Sequence, residues 1–126
     1  MSANERSGDI IHIEQLELAS RIGVPDEERA EPQRLTLSIT MWPRIDFRRL
    51  EDEVANTIDY AAVCREVKEL VSGRSDKLVE TLAEAIAAKL LRSFPIQRVR
   101  VELRKFILPD VKHVAVVIVR EPASGT

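Results

Sequence analysis

Apolar residues occupy every second position from 34 to 41, which is the clearest pattern in the sequence. This period of two predicts a β-strand with one face towards a core. The stretch 9–18 also alternates, but its apolar positions change parity between Ile13 and Leu16, and such a slip within one strand predicts a β-bulge. The charged connection 23–29 is too long for a tight hairpin. We therefore expect the two strands to pair antiparallel around a longer loop.

The centre of the chain has the spacing of helices. Trp42-Pro43 is expected to end the second strand, because proline cannot donate to a sheet ladder, and 44–58 has the weak pattern of a loop with a short helical turn. Asp59 is a candidate N-cap, and the helix that follows is expected to end at Ser72-Gly73. Its apolar positions are Tyr60, Val63, Cys64, Val67, Leu70 and Val71.

A second helix and two further strands complete the pattern. Ser75 or Asp76 is expected to cap this helix, and Phe94-Pro95 to close it. Alternation resumes at 99–103, which predicts a third strand. After a turn, the continuous apolar run 114–119 is typical of a strand covered on both faces.

The predicted order is strand, strand, helix, helix, strand, strand, which places the chain in the α+β class. Two hairpins can form a four-stranded antiparallel sheet with both helices on one face. A length of 126 residues favours one domain over 1–126, with a core at about 9–121 and flexible ends. Sheet edges are a liability unless they are paired or covered, so we expect several chains to assemble edge to edge.

The composition limits the classes of protein to consider. With 44% hydrophobic residues, 32% charged residues and a formal net charge of -2, the chain fits an ordinary soluble protein without a broad basic surface for nucleic acid. The single cysteine, Cys64, excludes an internal disulfide and fits a reducing compartment. Because the segment 1–8 is polar, we do not expect it to be a signal peptide, and no apolar run reaches the roughly 20 residues of a membrane span. We expect a cytoplasmic protein without membrane or nucleic-acid partners.

Four side chains are candidates for chemistry. Lys105 continues the apolar parity of its strand, so it is expected on the helix-packed face, where partial removal from water suits proton transfer; alternatively, the strand ends at Arg104 and Lys105 reaches solvent. Glu80 borders the apolar stripe of the second helix and could accept N–H donors or be a hydrated boundary residue. Tyr60 begins the first helix on its apolar side, as a core tyrosine or as part of a site. Glu28 belongs to an acidic loop cluster that would by itself be solvated.

Several other chemistries are disfavoured. His12 and His113 are the only histidines, and no pair of His or Cys residues has the spacing of a metal site. Neither a nucleophile elbow nor a glycine-rich phosphate loop is present. Arg98, Arg100 and Arg104 share one strand face, which could attract phosphates or RNA, although the lack of interleaved aromatic residues favours a solvated or interface-lining face.

Four segments carry a family resemblance. They are RIGVPDEER at 21–29, TIDY at 57–60, LVETLAE at 78–84 and VRVELRK at 99–105. In this order they resemble dihydroneopterin aldolases over nearly the whole chain, from Ile10 to Arg120. The resemblance implies the tunnelling fold (T-fold), in which subunits assemble into an oligomeric barrel, as a tetramer or octamer with active sites between subunits.

The resemblance also implies an activity and roles for residues. The enzyme would cleave 7,8-dihydroneopterin, a pterin on the route to folate, into 6-hydroxymethyl-7,8-dihydropterin and glycolaldehyde without metal or cofactor. Glu80 and the backbone around Val79 would hold the pterin edge. Lys105 would act through water as general acid-base, Tyr60 would assist protonation, and Glu28 would orient the substrate's hydroxylated side chain.

One departure from the family pattern leaves alternatives open. The family's lysine is usually followed by proline, whereas Lys105 is followed by the segment 106–109 of sequence FILP, as in the related dihydroneopterin triphosphate 2′-epimerases. An epimerase acting on a phosphorylated substrate is therefore an alternative, with Lys112 or Arg29 as the basic partner of the phosphate. A non-catalytic α+β binding or assembly module is a second alternative.

Overall fold

A five-stranded sheet is the frame of the protein in the computed structural model, which describes residues 8–123. The strands are β1 (Ile11–Ile22), β2 (Gln33–Pro43), β3 (Ser75–Asp76), β4 (Ile96–Lys105) and β5 (Val114–Arg120). They lie in the order β3-β1-β2-β4-β5. The four long strands pair antiparallel, whereas β3 runs parallel to β1. The predicted four-stranded antiparallel sheet is thus confirmed, with one short strand added.

The two long helices follow the predicted order, and a short helix that was not predicted lies in the connection between β1 and β2. They are α1 (Asp26–Arg29), α2 (Tyr60–Ser72) and α3 (Val79–Ser93), and two 3-10 turns cover Phe47–Arg49 and Val54–Asn56. The Asp59 carboxylate caps α2 by accepting from the Ala62 N–H at 3.1 Å, and Gly73 follows its last residue, as predicted. α3 ends before Phe94, also as predicted. No helix among the described residues is long and apolar enough to span a membrane, and the flexible ends expected beyond 9–121 lie mostly outside those residues.

The prediction that Ser75 or Asp76 caps α3 is wrong. Both residues form β3, where they pair with Arg21 and Ile22 at the end of β1. The N-cap position of α3 is Leu78, which makes no capping hydrogen bond through its side chain. Serine and aspartate are residue types that often cap helices. Here both residues pair with β1, a strand far away in the sequence, and so do not cap α3.

The predicted bulge in β1 is confirmed. The register with β2 shifts between Ile13 and Leu16. At this point Gln15 has a φ of 51°, in the left-handed region, and its backbone N–H donates to Ser38 Oγ at 3.1 Å. The extra residue lets the apolar residues before and after the bulge lie opposite apolar residues of β2, on one side of the sheet.

The core lies between that side of the sheet and helices α2 and α3. The alternating residues of β2 are fully buried. Their main partners in the core are Val99, Val101 and Leu103 of β4, Val63 and Val67 of α2, and Leu82, Ile86 and Leu90 of α3. Because these residues are apolar and aliphatic, the hydrophobic effect holds both helices to the same face.

The opposite face of the sheet is polar and internally neutralised. Arg100 and Arg104 both contact the Glu102 carboxylate, at 3.2 Å and 2.9 Å, and the hydrogen bond from Arg104 holds the pKa of Glu102 below its usual value. The Arg98 guanidinium lies 4.9 Å from the centre of the Trp42 ring. This strand face therefore carries ion pairs and a cation–π contact rather than three free guanidinium groups.

Strand β5 differs from its prediction. The apolar run 114–119 was expected to be covered on both faces, but β5 is an edge strand in the single chain. Val117 and Val119 on its outer side are 45% and 38% exposed. Among residues 8–123 no further strand or helix covers that side, so β5 carries more apolar surface than the described chain buries.

We expect Asp59→Ala to lower the free energy of unfolding by about 1 kcal/mol, because the Ala62 N–H loses its acceptor. Asp59→Asn should retain most of the stability, since asparagine caps helices about as well as aspartate. Urea denaturation at a fixed protein concentration measures both variants. Equal stability of Asp59→Ala and the wild type would contradict the capping role.

Candidate active site

An ion pair links the end of β4 to the loop after β1. Lys105 Nζ lies 3.1 Å from Glu28 Oε1, and the two side chains are 13% and 28% exposed. Lys105 is the last residue of β4 and lies opposite Leu35 of β2, so it continues the helix-packed face as its parity predicts. Glu28 is not a fully solvated loop residue. A largely buried lysine side chain therefore has a carboxylate beside its ammonium group, which compensates part of the cost of removing both charges from water.

Gly23 makes room for the Glu28 side chain. It is buried and has a φ of 147°, a conformation that side chains rarely adopt. A Cβ at this position would overlap the Glu28 carboxylate and its Cβ. Gln33 fixes the same loop from β2, since its Nε2 donates to the carbonyls of Ile22 at 2.6 Å and Glu28 at 2.9 Å. The carboxylate is thus held against Lys105 by the backbone that surrounds it.

Arg29 stabilises the loop rather than facing the site. Its Nη1 donates to the carbonyls of Gly23 at 2.7 Å and Val24 at 2.9 Å, and its Nη2 contacts Asp26. Its guanidinium therefore has partners from the loop itself. Lys112, the other predicted phosphate partner, is exposed in the connection between β4 and β5 and does not line the site.

The ion pair opens into a surface depression of about 340 Å³. Its walls are Val24, Pro25, Glu28, Lys77, Leu78, Val79, Glu80 and Lys105. Four of the five predicted site residues, Glu28, Val79, Glu80 and Lys105, therefore come together. Glu80 is exposed in the first turn of α3, where the positive end of the helix dipole favours a carboxylate. The depression has the size of a small-molecule site and offers two carboxylates and two ammonium groups.

Tyr60 lies elsewhere. It is the first residue of α2, it is 63% exposed, and it does not line the depression. The prediction that it lies on the packed apolar side is wrong for the single chain, because the buried residues of α2 begin at Ala62 and Val63. Its ring is left facing solvent.

A second, larger concavity does not contain the predicted residues. A larger groove of about 520 Å³ lies between α3 and the end of β5, with Arg44, Arg92 and Arg120 in its walls. None of the five predicted residues lines it. Within residues 8–123, no group of three His, Cys, Asp or Glu side chains is arranged to hold a metal ion.

Two features of the site were not predicted from the sequence. The position of Lys77 depends on β3, whose two residues carry no periodic signal. The need for a glycine at position 23 arises from Glu28, five residues later, and is visible only when the loop is folded. An isolated glycine two residues before Pro25 is the one local sign of an unusual turn.

Comparison with known proteins gives the family. The dihydroneopterin aldolase family model matches residues 11–119. The dihydroneopterin aldolase of Escherichia coli strain K12 is 38% identical over 98 residues, which are 77% of this chain and 80% of that protein. The Bacillus subtilis strain 168 enzyme is 35% identical over 120 residues, 90% of this chain and 98% of that protein. A solved structure of E. coli dihydroneopterin aldolase in complex with neopterin matches with a TM-score of 0.83 and 36% identity, covering 89% of this chain and 98% of that chain. The sequence similarity extends across the whole sheet and both long helices, and the chain belongs to the dihydroneopterin aldolase family.

Proposed function

We propose that this protein is a dihydroneopterin aldolase, an aldehyde-lyase that cleaves 7,8-dihydroneopterin into 6-hydroxymethyl-7,8-dihydropterin and glycolaldehyde in folate biosynthesis. The observation that carries the proposal is the Lys105–Glu28 pair at 3.1 Å in a depression that also contains Glu80. Neopterin in the E. coli structure supports a pterin as the ligand. The relatives described above are aldolases, which favours cleavage over epimerisation as the main reaction.

The reaction needs a proton acceptor and an electron sink. A base removes the proton of the 2′-hydroxyl, the C1′–C2′ bond breaks, and the C2′–C3′ fragment departs as glycolaldehyde. The electron pair of the broken bond moves into the C6–N5 imine of the dihydropterin ring, and a proton is then returned to C1′. Because the substrate's ring accepts the electrons, the protein supplies proton transfer and positioning.

Each site residue has a role in this scheme. The Glu80 carboxylate accepts two charge-assisted hydrogen bonds from the pterin, one from the exocyclic amine and one from the ring N–H. The backbone around Val79 lies along the same edge of the pterin. Lys105 moves the protons, through water, as general acid-base. Glu28 keeps the Lys105 ammonium in place and orients the hydroxylated side chain of the substrate. No metal ion or lysine Schiff base takes part in this scheme.

The proposal includes a homo-oligomer, a tetramer or octamer, with sites shared between subunits. Two observations support it: within residues 8–123, β5 has a free edge and exposed valines, and Tyr60 is exposed away from the depression that holds the other site residues. Pairing of β5 with a strand of another chain would satisfy the backbone N–H and C=O groups of its free edge. Tyr60 of one subunit then reaches the depression of a neighbour and assists protonation of C1′. The enzyme works in the cytoplasm, where the Cys64 thiol stays reduced.

The first prediction tests the reaction itself. Incubated anaerobically with 7,8-dihydroneopterin and no added metal, the protein should release 6-hydroxymethyl-7,8-dihydropterin and glycolaldehyde, resolved by chromatography. Lys105→Ala should lower kcat about 10²- to 10⁴-fold, the usual contribution of a general acid-base. Lys112→Ala, which removes an exposed lysine outside the depression, should match the wild type. Formation of a 2′-epimer without cleavage would show that the protein is an epimerase and not an aldolase. If the folded protein turned over no substrate, the non-catalytic binding module would be the remaining alternative.

Glu80→Gln should raise KM for 7,8-dihydroneopterin about 10- to 100-fold, because a hydrogen bond to a charged group contributes about 1.5–3 kcal/mol. kcat should change much less, since Glu80 holds the part of the pterin that does not react. Glu84→Gln is the matched control: Glu84 lies one helical turn further along α3 and pairs with Arg120. Equal effects of the two substitutions on KM would refute the anchoring role of Glu80.

Mixing inactive variants tests the shared site. Lys105→Ala and Tyr60→Ala homo-oligomers are each expected to be nearly inactive. After reversible dissociation and joint reassembly, about a quarter of the sites in a random mixture should combine an intact Lys105 with a neighbour's intact Tyr60. Activity should recover to that extent, with mixed oligomers verified by native mass spectrometry. Verified mixed oligomers without recovered activity would show that both residues act within one subunit.

A further inference from the structure

The depression contains one basic group that the proposed mechanism does not use. Lys105 and Glu28 neutralise each other at 3.1 Å, and Glu80 is assigned to the pterin edge. Lys77 also lines the depression, and among residues 8–123 it takes part in no ion pair. Once Glu80 is engaged by the pterin, the remaining charge at this rim is the Lys77 ammonium.

The backbone at Lys77 is held in place. The preceding residue, Asp76, pairs with Ile22 in the sheet, and its carbonyl accepts from the Gly23 N–H at 3.1 Å. The Asp76 carboxylate in turn accepts two hydrogen bonds from Arg74, both at 3.0 Å. β3 therefore fixes the start of the Lys77 side chain beside the loop that carries Glu28, although its ammonium group is exposed.

The two basic residues first considered for a phosphate are poorly placed. Arg29 already donates to two carbonyls and contacts Asp26 within its own loop. Lys112 is exposed outside the depression. Lys77 shares the walls of the depression with Lys105, and within the described part of the chain it forms no ion pair that would have to break when an anion binds.

We propose that Lys77 is a specificity-determining residue that recognises a phosphate ester at the end of the substrate's side chain, so that the substrate class includes phosphorylated dihydroneopterins. This inference rests on the proposed function. A lysine binds phosphate as a point charge. Because Lys77 is exposed, its attraction for the phosphate is screened by salt. Lys77 acts on binding alone, since proton transfer at C1′ and C2′ belongs to Lys105.

The test compares two substrates, 7,8-dihydroneopterin and its 3′-monophosphate, across four proteins: wild type, Lys77→Gln, Lys77→Glu and the control Lys112→Gln. KM for the monophosphate should rise about two- to fivefold in Lys77→Gln, the upper part of the range of an exposed charge pair, and further in Lys77→Glu. KM for the unphosphorylated substrate, and kcat for both, should stay within about twofold, as should all values for Lys112→Gln. The effect should shrink at about 1 M salt, where the Debye length is about 3 Å.

Several results would overturn the inference. Equal increases of KM for both substrates would show that Lys77 contributes to the binding site without recognising the phosphate. An unchanged KM for the monophosphate would show that Lys77 does not bind the phosphate. Wild-type protein that cleaves 7,8-dihydroneopterin but not the monophosphate would overturn the inference and leave the proposed function intact. Folded wild-type protein that turns over neither substrate would overturn both.

Discussion

The alternation of β2 is the constraint on which the other elements depend. This strand lies between β1 and β4, and every residue from Leu35 to Met41 is buried. Its register sets which face of each neighbour packs against the helices, and it places Lys105 opposite Leu35. A slip of one residue would turn Lys105 to the opposite face of the sheet and away from Glu28. The position of the proposed acid-base is therefore a consequence of how the core is packed.

The elements that the sequence predicts well are those with a local signal. The alternation of β2, the parity change at Gln15, the Asp59 cap and the stop at Gly73 all depend on residues within one element, and the structure confirms each. The misses depend on distant partners. Ser75 has the chemistry of a cap but pairs with Arg21, and a two-residue strand is too short to show a period.

The site residues also differ in whether a local sequence signal or a distant partner determines their position. Parity alone places Lys105 on the helix-packed face, and helix geometry places Glu80 near the edge of the apolar stripe. The pattern of charges gives Glu28 no distinction from its acidic neighbours, because its contact with Lys105 spans 77 positions of sequence; only the family resemblance selects it. Tyr60 shows the converse, since helical spacing assigns it to the core while the single chain leaves it exposed.

Fixed and adjustable parts of the site are therefore separate. The Lys105–Glu28 pair is tied to the core through β4 and to Gly23 through close contact of the loop, so changes there disturb both packing and chemistry. Lys77 follows β3, is exposed, and contributes nothing to the buried core. Substitution of an exposed residue costs little stability, whereas a charge at the rim of a binding site alters which anions bind. Substrate preference can then change at position 77 while the proton-transfer pair and the sheet register that holds it stay the same.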